Sequence, residues 1–398
     1  MAEYDIVIVG SGMVGLCFAN FLLKQTSYNI ALVGAINPLE NKNTARVCAF
    51  NHNSLNILRY LGCDANYFNN NCTFYNDVHI WTEPNRTLNF NAADLGFTNI
   101  GGVIPNHLVE IELWQKLQNN TRVSIYCPSE AKAWEFNGKQ HIIKLGCNTI
   151  LKSKLLIGAD GKNSWVRGKV GINTSNRSYE QNAIVAKLSC SKAHNNTAWQ
   201  KFLPTGPLAF LPLNNAHEVS IVWSSNTKHS DYLMQMSDAD FTKELAVCSD
   251  SVLGNFDLLS KRFSYKLEAQ HAESYIANHV ALLGDAAHVA HPLAGQGVNA
   301  GLLDAAILSD KLSCISDDKL QLALVHYQKE TRGRNSTLIF AMGQIKSLFE
   351  TKNPLLKLGR NFGFDLVNRS NQIKRQLANH ALGLGNNLPK TILHSTIE

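Results

Sequence analysis

The sequence has no run of apolar residues close to the ~20 that a membrane-spanning helix requires. Its N-terminus, Met1 to Asp5, also lacks the basic start of a secretory signal peptide and passes at once into a strand pattern. Charged residues make up 17% and hydrophobic residues 45% of the chain, which is typical of a globular rather than a disordered protein. We therefore expect a cytoplasmic protein, whose 398 residues suffice for at least two domains that each bury a core.

Closely spaced cysteines are absent as well. The nine cysteines never come closer than nine positions apart, and none forms a CxxC pair. This spacing argues against a metal ribbon and a redox pair, and an odd, dispersed count predicts reduced thiols in the core. The sequence also has no internal repeat and no low-complexity tract.

The net charge of +6 is concentrated near the C-terminus. Residues 340–398 carry eight Lys or Arg against three acids, interleaved with Leu and Phe. Two interpretations remain open: a helical cap with its lysines in water, or a surface for an anionic membrane, a partner or nucleic acid. Trp165, Trp199 and Trp223 are typical of core aromatics, so we assign no nucleic-acid role.

The N-terminal segment has the pattern of a βαβ unit that binds a dinucleotide. An apolar run from Tyr4 to Val9 leads into Gly10-Ser11-Gly12-Met13-Val14-Gly15 and a helical pattern, and a second apolar run spans Ile30 to Val33. Gly10 permits the tight turn, Gly12 lets the backbone approach a pyrophosphate, and Gly15 allows the helix to pack on the strand. The helix N-terminus offers free N–H groups to the anion.

One expected part of such a site is missing. The acidic residue that usually follows the second strand and binds the ribose hydroxyls would fall near position 34, where the sequence has Gly34. Glu40 is the nearest acid and lies beyond Pro38. Either Glu40 substitutes, or backbone and water hold the adenosine ribose.

Two more apolar runs end in turns that carry a carboxylate. Leu155 to Ile157 precede Gly158-Ala159-Asp160-Gly161, and Val280 to Leu283 precede Gly284-Asp285-Ala286-Ala287-His288. Together with the first strand they predict one parallel sheet assembled from distant segments. Asp285 suits sugar-like hydroxyls, and the glycine-rich start of the following helix presents backbone N–H groups to an anion.

The segment of about 176–270 differs in pattern. Its strand-like runs, such as Ala183 to Ala186 and Val219 to Trp223, are separated by clusters of Pro, Gly and Asn. This pattern predicts an antiparallel sheet domain inserted into the nucleotide-binding domain.

The three motifs together resemble those of the group A flavoprotein monooxygenases, the p-hydroxybenzoate hydroxylase type. The closer similarity is to the FAD-dependent hydroxylases of ubiquinone biosynthesis, through the stretches from Gly284 to His288, from His291 to Asn299 and from Gly301 to Asp304. Further similarity appears in Ala45 to Phe50, Leu58 to Gly62 and Trp199 to Leu213, so it covers nearly the whole chain.

The resemblance implies a fold and a division into domains. The fold is α/β: a Rossmann-like FAD-binding domain of the glutathione reductase type, an inserted and mainly antiparallel substrate sheet, and C-terminal helices. The FAD-binding domain is expected at residues 1–75, 101–175 and 271–340, the substrate sheet at 76–100 and 176–270, and the helical region at 341–398.

The resemblance also implies a cofactor site. Gly10, Gly12 and Gly15 would hold the FAD pyrophosphate, with Asp160 and Gly161 near it and near a transient nicotinamide site. Asp285 would bind the ribityl chain. No residue is assigned a catalytic role, but the loop with Pro292, Gly295 and Gln296 is expected beside the flavin. The remaining expected FAD-binding residues are Met13, Val14, Arg46, Asn106, Gly297, Val298 and Asn299.

The implied activity is hydroxylation of the aromatic ring of a polyprenylated phenol or quinol. In the family, NADH or NADPH reduces FAD, O₂ forms a flavin C4a-hydroperoxide, and its distal oxygen attacks the ring. NAD(P)H should bind transiently, because the sequence has no second glycine fingerprint. An apolar tunnel for the lipid tail is expected near Phe202, Leu208 and Phe210. The basic C-terminal region could bring the enzyme to the inner face of the membrane or to other quinone-biosynthesis proteins.

Other functions remain open. A flavin-dependent hydroxylase or reductase acting on another substrate would share the cofactor site, whereas a halogenase would carry a Trp-x-Trp-x-Ile motif that the sequence lacks. A non-catalytic scaffold of a biosynthetic complex is favoured only by Gly34. His288 and His291 could act as acid–base groups, or they could orient the loop around them.

Overall fold

Strands and helices alternate toward the two ends of the chain, whereas the middle of the chain forms mostly strands. The computed structural model describes residues 2–40, 46–83, 86–291, 295–313, 315, 319–351, 353, 359–360, 363, 367–381 and 389. Its strands are β1 Ala2–Val9, β2 Ile30–Val33, β3 Val47–Asn51, β4 Thr73–Tyr75, β5 Asp77–Glu83, β6 Arg86–Asn91, β7 Gly101–Pro105, β8 Val123–Tyr126, β9 Ala131–Phe136, β10 His141–Leu145, β11 Ile150–Gly158, β12 Thr174–Cys190, β13 Thr197–Leu203, β14 Gly206–Pro212, β15 Glu218–Asn226, β16 Phe256–Leu258, β17 Phe263–Ala272, β18 Ile276–Ala277, β19 Val280–Leu282 and β20 His288–Val289.

The described helices lie between these strands along the chain or follow the last of them. They are α1 Met13–Gln25, α2 His52–Tyr60, α3 Ala65–Asn71, α4 Ala92–Leu95, α5 Asn106–Gln118, α6 Trp165–Lys169, α7 Thr227–Gln235, α8 Asp238–Cys248, α9 Gln296–Leu312, α10 Leu320–Glu350 and α11 Asn371–Ala381. Short 3₁₀ turns occupy Pro38–Glu40 and Gly284–Ala286. None of the helices in these described ranges is both long and apolar enough to cross a bilayer.

The first sheet is built around β1. Its order is β18-β19-β11-β1-β2-β8, and β1 pairs in parallel with both β2 and β11. β19 and β8 extend the parallel part, while β9 and β10 form an antiparallel hairpin beside β11. Residues from Ile6 to Val9 are buried, as expected for a parallel strand covered on both faces. Helix α1 packs against α5 and α9.

The second sheet is mainly antiparallel. Its order is β20-β17-β12-β15-β14-β13-β5-β6, with β16 beside β12, and β13 runs parallel to β5. Helices α7 and α8 cover its outer face, on which Ile184 and Trp223 pack with Leu233 and Phe241. The opposite face, here called the inner face, carries Tyr179, Ala183, Val222, Leu267 and Ala269, and Ile339 of α10 packs against it.

The predicted tunnel residues do not share one face of this sheet. Leu208 and Phe210 are fully buried on the outer face, in the core beneath α7 and α8. Because side chains alternate along a strand, Phe202 points to the inner face whereas its neighbour Lys201 pairs with Asp250, 2.7 Å away, at the end of α8. Leu208 and Phe210 therefore face the core beneath α7 and α8, on the side opposite to Phe202, and the tunnel stays a prediction.

A small third sheet and the long helix α10 complete the described structure. The third sheet has the order β3-β7-β4, and β3 leads into α2. Helix α10 runs from Leu320 to Glu350 without a break, across the predicted boundary at residue 341. The division into domains stays a prediction.

Candidate active site

The three motif-bearing turns meet at one edge of the first sheet. Val9 lies opposite Gly158, and Gly158 lies opposite Leu282, so β1, β11 and β19 end side by side. The Ala159 N–H donates to Val9 O at 2.8 Å, and the Leu283 N–H donates to Gly158 O at 2.9 Å. The carboxyl ends of parallel strands are where such sheets bind nucleotides.

In the first turn, two glycines are required by close packing and one faces open space. Gly10 has φ +121°, and a Cβ there would lie 2.8 Å from Asp160 N. A Cβ on Gly15 would overlap Gly10 O and lie 3.3 Å from Ala159 Cβ. By contrast, no heavy atom of the described residues lies within 4 Å of a Cβ on Gly12. The turn therefore leaves room next to the Gly12 backbone.

The start of α1 is suited to an anion. Gly12 is its N-cap, no side chain caps it, and its first turn contains no acid. Its N–H groups are therefore left for a ligand, as at phosphate-binding helix ends. The side chain of Met13 is buried in the core. Val14 packs between two other glycines, because its Cγ2 would lie 3.1 Å from a Cβ on Gly284 and 2.8 Å from one on Gly301.

In the second turn, one carboxylate oxygen caps a helix and the other is unused. Asp160 Oδ2 accepts the Val166 N–H at 3.0 Å. Its Oδ1 is buried without a hydrogen-bond partner among the described residues. Burial raises the pKa of Asp160 despite the lowering effect of hydrogen bonds from Ser164 and Val166. Gly161 follows with φ +80° and open space beside it.

Arg167 connects the second and third turns, a role that we did not predict. Its Nη1 donates to Ala286 O and its Nη2 to Lys162 O, both at 2.8 Å. The arginine lies seven residues after Asp160, on the short helix α6. Sequence alone gives no signal for this contact beyond its place in the motif.

In the third turn, Asp285 is exposed at the sheet edge where the three turns meet, which is here called the cleft. Protein nevertheless surrounds its carboxylate closely enough for burial to raise its pKa. The nearby charges of His288, Arg46 and Lys162 act in the opposite direction. Asp285 therefore lies where a hydroxyl-rich ligand chain could reach it.

The start of α9 borders the same cleft. Gly295 is its N-cap in the left-handed region, with φ +63°, and the first turn has neither an acid nor a side-chain cap. Gly297 has open space where a Cβ would lie. The half-buried Gln296 and Val298 flank Gly297, whereas Pro292 lies outside the described residues.

Asn299 fixes this helix start to β3. Its Nδ2 donates to Ala49 O at 3.0 Å and to Gly295 O at 2.8 Å. Its Oδ1 accepts the Asn51 N–H at 3.0 Å. The side chain therefore holds the loop in place, and only the backbone of Asn299 remains for a ligand.

Arg46 and Asn106 lie at the start of β3 and of α5. The Asn106 N–H donates to Arg46 O at 3.0 Å. Asn106 Oδ1 is buried without a hydrogen-bond partner among the described residues. Beside it, burial raises the pKa of the Cys48 thiol to about 11, so this thiol is protonated. The exposed Arg46 guanidinium is 5.3 Å from the centre of the Tyr265 ring, on the inner face of the second sheet.

The two histidines of the third motif are buried and hydrogen-bonded to protein. His288 Nε2 is 2.5 Å from Asp304 Oδ2, and His291 Nε2 is 3.2 Å from Gln181 Oε1. Burial, together with the charge of Lys346, lowers the pKa of His291 to about 4, so it is neutral at pH 7. These contacts favour an orienting role for both.

The inner face of the second sheet lies against this cleft and is covered by the second half of α10. The His291 ring meets the Tyr179 ring edge-on at 4.8 Å between centroids. The Phe349 ring of α10 stacks on Phe202 at 3.6 Å, and Lys346 Nζ is 5.5 Å from the Tyr179 ring centre. Aromatic and basic side chains therefore meet on this face of the sheet.

Metal-ligating types of side chain do not cluster in the parts of the chain that the structure describes. Within them, no group of three or more His, Cys, Asp or Glu side chains could hold a metal ion. The eight described cysteines are free.

Comparison with known proteins shows the family to which the chain belongs. The chain matches the family described as "FAD binding domain" over residues 3–339. It is 31% identical over 388 residues to the 3-demethoxyubiquinol 3-hydroxylase of Escherichia coli, covering 96% of this chain and 98% of that protein. It is also 29% identical to the mitochondrial ubiquinone biosynthesis monooxygenase COQ6 of Danio rerio, over 94% of this chain and 88% of that protein.

Solved structures show the same fold. The p-nitrophenol 4-monooxygenase PnpA of Pseudomonas putida superposes with a TM-score of 0.79 over 98% of this chain and all of that chain, at 16% identity. PqsL of Pseudomonas aeruginosa in complex with 2-aminobenzoylacetate superposes with a TM-score of 0.77 over 87% of this chain and 97% of that chain, at 19% identity. At these identities the likeness concerns the α/β fold alone.

The residues of the cleft fit FAD. The open space at Gly12 and the uncapped start of α1 suit a pyrophosphate. The unpartnered oxygens of Asp160 and Asn106 are acceptors that a polyhydroxylated ligand could satisfy. The fit of these residues to FAD, the family match and the fold agree with one another. The chain belongs to the ubiquinone-biosynthesis hydroxylases among the FAD-dependent group A monooxygenases.

Proposed function

We propose that this enzyme hydroxylates the aromatic ring of a polyprenylated phenol or quinol in ubiquinone biosynthesis. The proposal depends above all on the 31% identity to a demethoxyubiquinol hydroxylase along 96% of the chain. The overall reaction consumes one O₂, one NAD(P)H and one proton. It inserts one oxygen atom into a ring C–H bond and releases the other as water.

When bound, FAD would supply the acceptor for a hydride from NAD(P)H and the means to activate O₂ for transfer to the ring. The chain's own residues hold and orient it. Gly10, Gly12 and Gly15 with the start of α1 would hold the pyrophosphate, Asp160 and Gly161 would lie near it, and Asp285 would bind the ribityl chain. Met13, Val14, Arg46 and Asn106 complete this part of the proposed site.

The start of α9 is the part of the proposed site that would stabilise negative charge on the flavin. Gly295, Gly297, Val298 and Asn299 would present backbone N–H groups to the pyrimidine side of the flavin, next to Gln296. The dipole of a helix N-terminus stabilises a nearby negative charge by about 0.3–2 kcal/mol. The absence of an acid from the first turn of α9 leaves this contribution unopposed there. The helix start would therefore favour the anionic, reduced form of the cofactor.

The inner face of the second sheet would receive the substrate. Phe202, Ile339 and Phe349 supply apolar surface, and the buried Tyr179 packs with Ile339 and meets the His291 ring edge-on. An aromatic ring placed there would face the start of α9 while its tail ran along the phenylalanines. Closure by α10 would keep water away from the reacting ring.

Contact with a membrane is a further part of the proposal. A polyprenylated substrate resides in lipid, and eight basic residues against three acids follow residue 339. Clustered Lys and Arg are attracted to anionic lipid surfaces. Vesicles with and without anionic lipid, sedimented with the enzyme at low and high salt, test this. We expect binding only to the anionic vesicles and loss of binding at high salt, whereas equal recovery with neutral vesicles would contradict it.

Deletion of the gene followed by mass spectrometry of the accumulated quinone precursor tests the proposed function in the cell. We expect a prenylated ring that lacks one oxygen atom, and its substitution pattern would identify the blocked step. A variant of the enzyme with Gly12→Ala should fail to restore the quinone. Unchanged ubiquinone in the deletion strain would overturn the proposed pathway, and the substrate would have to be sought elsewhere.

A further inference from the structure

A buried polar cluster lies behind the third turn, and the proposed chemistry does not use it. Asp304 of α9 is 0% exposed and His288 is 1% exposed. Asp304 Oδ1 accepts from Arg334 Nη2 at 2.7 Å and from Asn335 Nδ2 at 3.1 Å. Its Oδ2 lies 2.5 Å from His288 Nε2 and accepts the Gly284 N–H at 3.3 Å. A buried carboxylate is costly unless partners surround it in this way.

The cluster joins three elements at the site. One oxygen of Asp304 binds α10, and the other binds the turn that begins at Gly284. Tyr327 of α10 fixes the same segment a second time, since its hydroxyl donates to Leu282 O at 2.7 Å. Gly284 directly precedes Asp285, so the carboxylate of Asp304 acts one residue away from the proposed ribityl ligand.

Close packing transmits this restraint. A Cβ on Gly301 would lie 3.2 Å from Gly284 Cα, so α9 and the turn approach each other at backbone distance. His288 lies within electrostatic reach of both Asp304 and Asp285. Burial alone would raise the pKa of Asp304, but His288, Arg334 and Asn335 outweigh it and the pKa is lowered. These partners therefore stabilise the charged form of the carboxylate.

We propose that Asp304 is a positioning residue that acts through the Gly284 N–H and the His288 ring to hold Asp285 in place for the FAD ribityl chain. This inference rests on the proposed function, because the contact between Asp285 and FAD is part of it. Asp304 itself does not reach the cleft.

The test uses Asp304→Asn, which keeps the shape of the side chain but replaces one acceptor oxygen with a donor amide. The new amide NH₂ of the Asp304→Asn side chain would then face either the Arg334 guanidinium or the Gly284 N–H, each of which is itself a donor. FAD release on dilution of the holoenzyme, followed by the gain in flavin fluorescence, gives the dissociation constant. We expect a rise of about 10- to 100-fold, the effect of losing a hydrogen bond to a charged group. The KM for NAD(P)H at saturating FAD should not change.

Ser309→Ala is the matched control. Ser309 is buried on the same helix and donates to Gln25 Oε1 at 2.7 Å, far along the chain from the turn. It should lower the melting temperature as a lost buried hydrogen bond does and leave the FAD dissociation constant unchanged. A rise in that constant equal to the rise with Asp304→Asn would show that loss of stability alone explains both.

A double-mutant cycle with Asp285→Asn decides the mechanism. If Asp304 acts through Asp285, the double variant binds FAD no more weakly than Asp285→Asn alone. Additive losses would overturn the proposal. If Asp304→Asn does not fold, the same cycle with Arg334→Gln, at a partly exposed partner, gives a smaller rise with the same criterion. Wild-type protein that binds no FAD would instead refute the proposed function.

Discussion

Ser11 occupies the space that a side chain at Gly34 would need. A Cβ at position 34 would overlap both Oγ and Cβ of Ser11 and lie 3.4 Å from Cys127 Sγ. Ser11 Oγ in turn donates to Ile36 O at 3.0 Å, which fixes it in this place. The missing ribose-binding acid and the serine in the glycine motif are therefore two parts of one local arrangement.

This relationship predicts how the two positions depend on each other. Gly34→Glu alone should lower the melting temperature and weaken FAD binding, because its Cβ overlaps Ser11. Adding Ser11→Gly removes both overlapping atoms, so the double variant should recover stability and bind FAD at least as tightly as wild type. Thermal melts and FAD titrations of the two single variants and the double variant measure this. Additive losses in the double variant would contradict the steric explanation.

Two glycines of the first motif should respond differently to alanine. In Gly15→Ala the new Cβ overlaps Gly10 O, so we expect unfolding or a loss of roughly 1–3 kcal/mol, as for overpacked cores. In Gly12→Ala the Cβ enters open space, so the protein without FAD should melt at the wild-type temperature. FAD binding should nevertheless weaken at least tenfold, because the methyl group occupies the proposed pyrophosphate site. Tight FAD binding by Gly12→Ala would place the phosphates elsewhere.

The raised pKa of Asp160 predicts that the variant Asp160→Asn is more stable than wild type, by an amount that depends on pH. A carboxyl whose pKa is higher in the folded than in the unfolded protein loses stability as pH rises from the unfolded pKa of about 3.8 through the folded pKa. Asp160→Asn removes that loss, and its amide oxygen can still accept the Val166 N–H. The FAD-free variant should therefore melt above wild type at pH 7, and the difference should shrink toward pH 4. Denaturation series at several pH values, with Asp231→Asn at an exposed helix position as control, measure it.

The stacked pair Phe202 and Phe349 should affect the binding of the substrate's lipid tail rather than the binding of its ring. Phe202→Ala removes apolar surface worth about 1.5–3 kcal/mol when buried against a ligand, which corresponds to about a 10- to 100-fold change. We expect that loss in kcat/KM for a long-chain prenylphenol and little change for the same phenol without its tail. Steady-state NAD(P)H oxidation with both substrates separates the two. Equal losses would place the phenylalanines at the ring instead.

The sequence predicted the fold, the family and the FAD cofactor, for a physical reason. Glycine turns such as Gly10 to Gly15 leave local signals, because a tight turn and a helix start require particular residues at fixed spacing. The α/β fold, the membership in the hydroxylase family and the FAD cofactor are confirmed by the family match and the fold. The individual site residues stay predictions.

Contacts between distant segments left no such signal. The alternation of apolar residues along β14 indicated that Leu208 and Phe210 are buried. Which face of the sheet α7 and α8 cover depends on packing between distant segments. The contact of Arg167 with Ala286 O and that of Asp304 with the Gly284 N–H each join segments that only the folded sheet brings together. Long-range packing of this kind is not encoded in any one motif.

Incorporation of oxygen into a prenylated phenol tests the central claim most directly. The purified enzyme with FAD, NAD(P)H and a prenylphenol is incubated under ¹⁸O₂, and the product is analysed by mass spectrometry. We predict a product heavier by one ¹⁸O atom, formed with substrate-stimulated oxidation of one NAD(P)H per turnover. Oxidation of NAD(P)H without label in any prenylphenol, or a product reduced rather than hydroxylated, would contradict the account.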